Sequence, residues 1–284
     1  MSTQSVLTNA TIEEVTHVRE RSLLQRLLAS QPFWVTVALA SIIAVMSVYQ
    51  PQAFDSSDNF FNITRNFAFI GIMALGMTAV ILTGGIDLSV GSIMGLVGVV
   101  VGLTLQAGNH WAVAVLLGLL TGAATGAVNG VLIAYVGLPS FVVTLGMLSI
   151  ARSLAVVLSQ NKMIYELGPW GDTFSNIGGG DLFGVANPVW MLLILALVFG
   201  YVFNFTAWGK YLFAVGGNEN ASRLTGVPVN RIKLQAYIVS GLTAAIASVL
   251  IVGWQGSAIN ALGTGYELRV IASTVIGGAM TRSS

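Results

Sequence analysis

The chain has 284 residues, 55% hydrophobic and 8% charged, with a net charge of +1. A soluble domain carries about 25% charged residues, and a water-facing surface could not hide this much apolar side chain, so the composition excludes an ordinary soluble globule and, with no basic field, a nucleic-acid binder. The absence of cysteine excludes disulfides and thiolate metal sites.

In chain order, residues 1–31 form a polar segment with Glu13, Glu14, Arg19, Glu20, Arg21 and Arg26, weakly amphipathic from Ser22 to Ala29, and are expected to be a cytoplasmic tail. The first apolar run, Phe33 to Val48, lies too far from the start for a cleaved leader and reads as a retained span. A span needs about 20 apolar residues. Candidate spans cover 32–49, 66–83, 89–107, 111–135, 140–159, 188–205, 233–253 and 265–280. The fold class expected is therefore all-α: a polytopic transmembrane bundle of about eight spans within a domain at 32–280. The second and third spans are separated only by residues 84–88, so one long broken helix is an alternative to two spans.

Lys and Arg stay on the cytoplasmic side. The tail holds Arg19, Arg21 and Arg26; the segment 206–232 holds Lys210, Arg223 and Arg231, with Lys233 just beyond. An even number of spans separates them, so both face the cytoplasm. The loops 50–65 and 160–187 carry Asp55, Asp58, Glu166, Asp172 and Asp181 against Arg65 and Lys162, and fall outside by the same count. Trp34, Trp111, Trp190, Trp208 and Trp254 sit near span ends, as an interfacial belt does.

The fourth span repeats glycine at 118, 122, 126 and 130, a ridge that lets another backbone come close. Gly91 and Gly95, then Gly98 and Gly102, do the same on the third. Thr121, Thr125 and Asn129 run beside the fourth-span ridge, either as interhelical hydrogen-bonding groups or as a polar stripe along a solute path. Asp87 is the one acid inside the 66–107 apolar block, in the run Gly84, Gly85, Ile86, Asp87, Leu88, Ser89, Val90, Gly91. An acid just before an apolar run caps a helix well; ion coupling or a solute contact is the other reading of a charge at that depth. Arg152, in the fifth span, is expected to snorkel to the outer interface. His17 and His110 have no partners at ligand spacing. No phosphate-cradling loop and no catalytic set appears, so the chain is expected to hold no ATP site and no cofactor of its own.

The segment 206–232 is the most informative polar stretch. Asn218 is expected to cap a short helix opening at Glu219, continuing through Ala221 to Leu224 and ended by Gly226, with Pro228 beyond. Glu219 and Arg223 face each other at i, i+4. Such a compact knob suits a partner's groove; an ordinary connection is the alternative.

Four segments together resemble one family, the permeases of carbohydrate ATP-binding-cassette importers of the ribose, xylose, arabinose and galactose type. They are 84–91, the run 138–146 (Leu138, Pro139, Ser140, Phe141, Val142, Val143, Thr144, Leu145, Gly146), the run Ala214 to Gly226, and Gly265 to Leu268 followed by Val275 to Gly278. The resemblance spans about 32–280. It implies a permease dimer in the bacterial inner membrane, each copy docked on an ATPase subunit that holds ATP and Mg, with a periplasmic solute-binding protein delivering sugar. It implies that the coupling helix lies at Asn218–Thr225 within a cytoplasmic segment 209–231, with Gly216, Gly217, Asn218, Glu219, Ala221, Arg223 and Gly226 facing the ATPase. It also implies that Gly84, Gly85, Asp87, Ser89 and Gly91 form a structural or gating motif. Asn129, Phe141 and Thr144 are candidate linings of the path. Related permeases carry branched-chain amino acids or nucleosides, and an ion-coupled transporter is the rival class. Members of the family have about ten spans, and this chain leaves the pattern at 279–280 and ends in an atypical 281–284, which is expected to leave it short of the last spans.

Overall fold

The structure, a computed structural model, describes residues 28–278. Most of the expected tail, with His17, and the expected atypical end at 281–284 lie outside the described residues. Two compact units divide the chain at Ser56/Ser57.

In the first unit, α1 (Gln31–Tyr49) is entered through a proline in its first turn, where a missing N–H costs nothing. Trp34, Leu39, Ile42 and Val45 are all exposed, as a lipid-facing helix requires. A single turn, α2 (Pro51–Phe54), follows, and the Ser47 hydroxyl donates to Asp55 at 2.7 Å.

The second unit contains α3 (Ser57–Leu82), α4 (Val90–Gln106), α5 (Trp111–Ala134), α6 (Ser140–Leu158), α7 (Gly171–Gly179), the hairpin β1 (Asp181–Leu182) and β2 (Val185–Ala186), α8 (Asn187–Phe205), α9 (Ala207–Gly217), α10 (Glu219–Leu224), α11 (Val229–Gln255) and α12 (Tyr266–Ile276). Among the described residues five helices, α3, α5, α6, α8 and α11, are long and apolar enough to cross a membrane, and two shorter apolar stretches, Phe33–Tyr49 and Val90–Gln106, accompany them.

The core is built around α11 and α4. Most of α4 is buried although it is apolar on every side, so protein rather than lipid surrounds it. The glycine ridge of α5 lies against α11: a Cβ on Gly122 would strike the Gly241 carbonyl, and one on Gly241 would strike that of Gly122. Gly118 faces Val249, Gly126 faces Tyr237 and Gly130 faces Leu234, so α5 runs antiparallel to α11. In α3, Phe69 meets Trp254 while Gly76 meets Thr243, which is again antiparallel. In α4 the order is reversed: Ser240 reaches Asp87, just ahead of the helix, Ser248 reaches Met94, and Val252 faces Gly98. Since α3 and α4 run in opposite senses along α11, residues 83–89 are a turn between two helices, and the single broken helix is excluded.

Four expectations are corrected. The loop assigned to 50–65 is largely helical, because α3 begins at Ser57, and Arg65 is buried over the rings of Phe61 at 4.4 Å and Trp254 at 5.2 Å. Residues 207–217, expected as part of the polar connection 206–232, form α9, whose first turn is capped by Thr206 accepting from the Gly209 N–H at 3.3 Å. His110 is not incidental: its Nδ1 accepts from the Ala112 N–H at 3.2 Å, capping α5, and its ring packs 4.2 Å from Trp170.

The fourth correction concerns Arg152 and the stretch that precedes the eighth span. The expected span at 265–280 is helical in its described part, as α12, which has 11 residues and closes at Gly277; an irregular segment, 256–265, precedes it. At 1.5 Å per residue α12 rises about 16 Å, half the hydrocarbon core. Gly256, Gly263 and Gly265 have φ of +60°, +78° and +79°, a region that favours glycine. The segment descends beside α4: Ala258 faces Gly102, Leu262 faces Gly98 and Gly263 faces Gly91. Irregular backbone at membrane depth needs protein partners for its polar groups, and here Arg152 supplies them. Its Nη1 donates to the carbonyls of Asn260 at 2.6 Å and Leu262 at 2.9 Å, so Arg152 turns inward to this segment and does not snorkel.

Candidate functional site: the coupling segment and the membrane motif behind it

The helix expected after Asn218 is present as α10. Asn218 has extended backbone, and its side chain accepts from the Ala221 N–H at 2.9 Å, satisfying an orphan donor. Gly226, at φ +86°, turns the chain away. Gly217 faces open space, whereas Gly216 lies so close to the end of α3 that a Cβ would meet the Leu82 carbonyl. Ser222 is buried and Leu224 is 90% exposed, so α10 rests on one face and offers an apolar side chain on the other.

Its acid does more than pair along the helix. Glu219 Oε1 accepts from Arg223 Nη2 at 3.0 Å, as the spacing predicts, and Oε2 accepts from Lys233 Nζ at 2.6 Å. Arg223 also donates to Asn230 at 2.8 Å. Two links therefore bind α10 to the first turns of α11. The Lys233 hydrogen bond is the largest cause holding the Glu219 carboxyl below its ordinary 4.5; partial burial opposes it, and Arg223 adds to it.

From Lys233 the inward face of α11 continues at i+4 and i+7 with Tyr237 and Ser240. Tyr237 is 1% exposed and packs against Gly85, where a Cβ would strike its hydroxyl. Gly84, at φ +77°, makes the turn after α3 that brings Gly85 there. Asp87 has no exposed surface. Its Oδ1 accepts from the Ser89 N–H at 2.9 Å and the Ser89 hydroxyl at 2.6 Å, and its Oδ2 accepts from the Ser240 hydroxyl at 2.8 Å. The cap reading is thus refined. The N-cap position of α4 falls on Ser89, and Asp87 holds the turn one step earlier while tying it to α11. Gly91, a turn into α4, allows Gly263 to approach.

Of the candidate path residues, Asn129 and Thr144 are fully buried, and both face this turn. Asn129 donates to the Ser89 hydroxyl at 2.9 Å; Thr144 donates to the Ser140 carbonyl at 2.8 Å and the Ile86 carbonyl at 3.3 Å. Neither has free surface within this chain with which to line a path. Phe141 lies apart from them, 55% exposed. Thr121 and Thr125 spend their hydroxyls on carbonyls of their own helix, so the stripe supplies no interhelical bond there. Sequence reasoning missed Lys233, Tyr237 and Ser240. The available signal was their common helix face in a span otherwise poor in polar groups.

A cavity of about 380 Å³ opens where the 83–85 turn, residues 137–140 and α10 meet, with Lys233 and Tyr237 on its α11 wall. Three segments far apart in sequence thus share one chamber at the α10 end of the bundle.

Residues 59–284 match the family described as branched-chain amino acid transport system / permease component. The chain belongs to this family. The permease is 40% identical over 243 residues to the ribose import permease protein of Escherichia coli K12, covering 85% of this chain and 75% of that one. It is 34% identical over 246 residues to the L-arabinose transporter permease protein of Azospirillum brasilense, covering 86% and 71%. It is 33% identical over 242 residues to an autoinducer 2 import system permease protein of Photorhabdus luminescens, covering 85% and 72%. No solved structure matches it. The permease is a multi-pass membrane protein, built as an all-α bundle.

Proposed function

We propose that the chain is the permease subunit of an ATP-driven importer that carries a small sugar, a pentose, hexose or related polyol, into the bacterial cytoplasm. The relatives named for ribose, arabinose and autoinducer 2 support the solute class. A separate ATPase holding ATP and Mg supplies the energy, the permease works as a dimer in the inner membrane, and a periplasmic binding protein delivers the solute. The chain itself holds no cofactor.

The observation that carries the coupling part is the α10 linkage. An ATPase gripping α10 at Leu224 moves Glu219 and Arg223; Glu219 pulls Lys233, and α11 conveys the movement two turns inward to Ser240 and Asp87. Asp87 holds the turn from which α4 starts, so the central helix responds. Gly84, Gly85, Ser89 and Gly91 make that turn tight enough to follow, and Gly216 keeps α9 against the end of α3. Asp87 as an ion carrier is the weaker reading, because its oxygens are occupied by Ser89 and Ser240.

Reconstitution of the permease with its ATPase tests the proposal. Sugar uptake that needs ATP and continues without sodium or proton gradients is expected. Uptake driven by an ion gradient alone, or uptake of a branched-chain amino acid in place of any sugar, would overturn it.

A further inference from the structure

We propose that the chamber between the 83–85 turn, Ser140, α10 and α11 binds a small polyhydroxylated solute from the cytoplasmic side, and that its occupation slows the importer. The proposal rests on the reading of the chain as a sugar permease. The chamber's volume of about 380 Å³ falls within the range of small-molecule sites, roughly 300–1,000 Å³. Its lining mixes donors with acceptors, as a sugar's hydroxyls require. Lys233, Ser140 and Tyr237 donate; Glu219 and the backbone of 83–85 accept.

One group points to a missing partner. Tyr237 is 1% exposed and its hydroxyl makes no well-formed hydrogen bond; the Ser140 hydroxyl beside it is only a loose partner. A poorly served buried hydroxyl is costly, and a solute hydroxyl meeting Ser140 at the chamber wall would complete a chain of hydroxyls that ends on Tyr237. The charges on that wall are already engaged with one another, Glu219 with both Lys233 and Arg223, so what the wall offers a solute is hydrogen-bond donors and acceptors.

The position gives occupation a consequence. The chamber's walls are the parts that move when α10 drives α11 against the 83–85 turn. A molecule bridging them resists that movement, so accumulated product restrains further import.

The importer reconstituted in liposomes, with α10 and the ATPase outward and binding protein with D-ribose inside, tests this. D-ribose added outside is expected to lower ATP hydrolysis. The half-inhibiting concentration should rise about tenfold in Tyr237→Phe and in Ser140→Ala, the loss of roughly one hydrogen bond, each measured against its own rate without external sugar. No inhibition, or inhibition in both variants as strong as in the unsubstituted permease, overturns the proposal. Inhibition by inorganic phosphate and not by D-ribose overturns the polyol assignment. Outward delivery of D-ribose or L-arabinose from the lumen is followed in parallel. Transport without inhibition removes only the chamber site, whereas no transport of either sugar removes the sugar reading and this proposal with it.

Discussion

The Ser240 hydroxyl of α11 donates to Asp87 at 2.8 Å, across 153 positions of sequence. It ties the only acid of the 66–107 apolar block to the helix whose first turns hold α10. Asp87→Asn keeps an oxygen for Ser89, and its amide can face a hydroxyl turned to accept, so uptake should fall less than about tenfold. Asp87→Ala leaves buried donors unserved, at roughly 1–3 kcal/mol, and should lower both assembly yield and thermal stability in detergent. Complete loss of uptake in a well-assembled Asp87→Asn permease would favour the ion-carrier reading.

Lys233 links α10 to α11 through Glu219 at 2.6 Å. Lys233→Met keeps the helix and removes the tie. ATP hydrolysis in the reconstituted importer should continue while sugar moved per ATP falls by about tenfold, taking the charged hydrogen bond as worth roughly 1.5–3 kcal/mol. The exchange Glu219→Lys with Lys233→Glu should recover part of that ratio; an unchanged ratio in Lys233→Met would mean that the linkage carries no drive.

The same pair predicts a dependence on pH. Glu219 is held below its ordinary 4.5, so the ion pairs steady α10 above that value and are lost as pH falls through the depressed one. The chain has no cysteine, so Thr225→Cys and Tyr135→Cys can carry spin labels without background. Their distance distribution should stay narrow from pH 7 down to the ordinary carboxylate value and broaden only as pH falls below it. In Glu219→Gln it should be broad throughout.

Arg152 holds two carbonyls of the irregular segment at 2.6 and 2.9 Å. Arg152→Met leaves both buried without a donor, a loss of roughly 1–3 kcal/mol each. A cysteine at Thr264 should react with a small thiol reagent several-fold faster in that background. Arg152→Lys should give an intermediate rate, since an ammonium reaches only part of the same geometry.

The glycine ridge of α5 predicts a contrast within one residue type. Gly122→Val places side-chain atoms where the Gly241 carbonyl lies and should cost roughly 1–3 kcal/mol or more by overpacking. Gly200→Ala in α8 has open space, and the alanine is the better helix former, so thermal stability should hold or rise slightly. Equal effects in the two variants would mean that α5 and α11 do not meet through glycine.

The sequence by itself determined where the long apolar helices lie, because the length of an apolar run is a local property, while the polar start of α3 and the glycine-bearing α9 escaped that reading. The start of α10 at Glu219 followed from Asn218, and the close approach along α5 followed from glycine at every fourth place. The tertiary structure alone decided how polar groups at membrane depth are served. Arg152 meets carbonyls 108 and 110 residues away, Asp87 meets Ser240, and Glu219 answers Lys233 as well as Arg223. Nothing in the 3.6-residue period identifies such partners. In a low-dielectric interior a polar group binds whatever donor the packing brings within 3 Å, and packing is a property of the whole bundle. The stretch before the eighth apolar block shows the same division: nothing in its sequence predicts that Ala258, Leu262 and Gly263 lie against Gly102, Gly98 and Gly91 of α4 as irregular backbone.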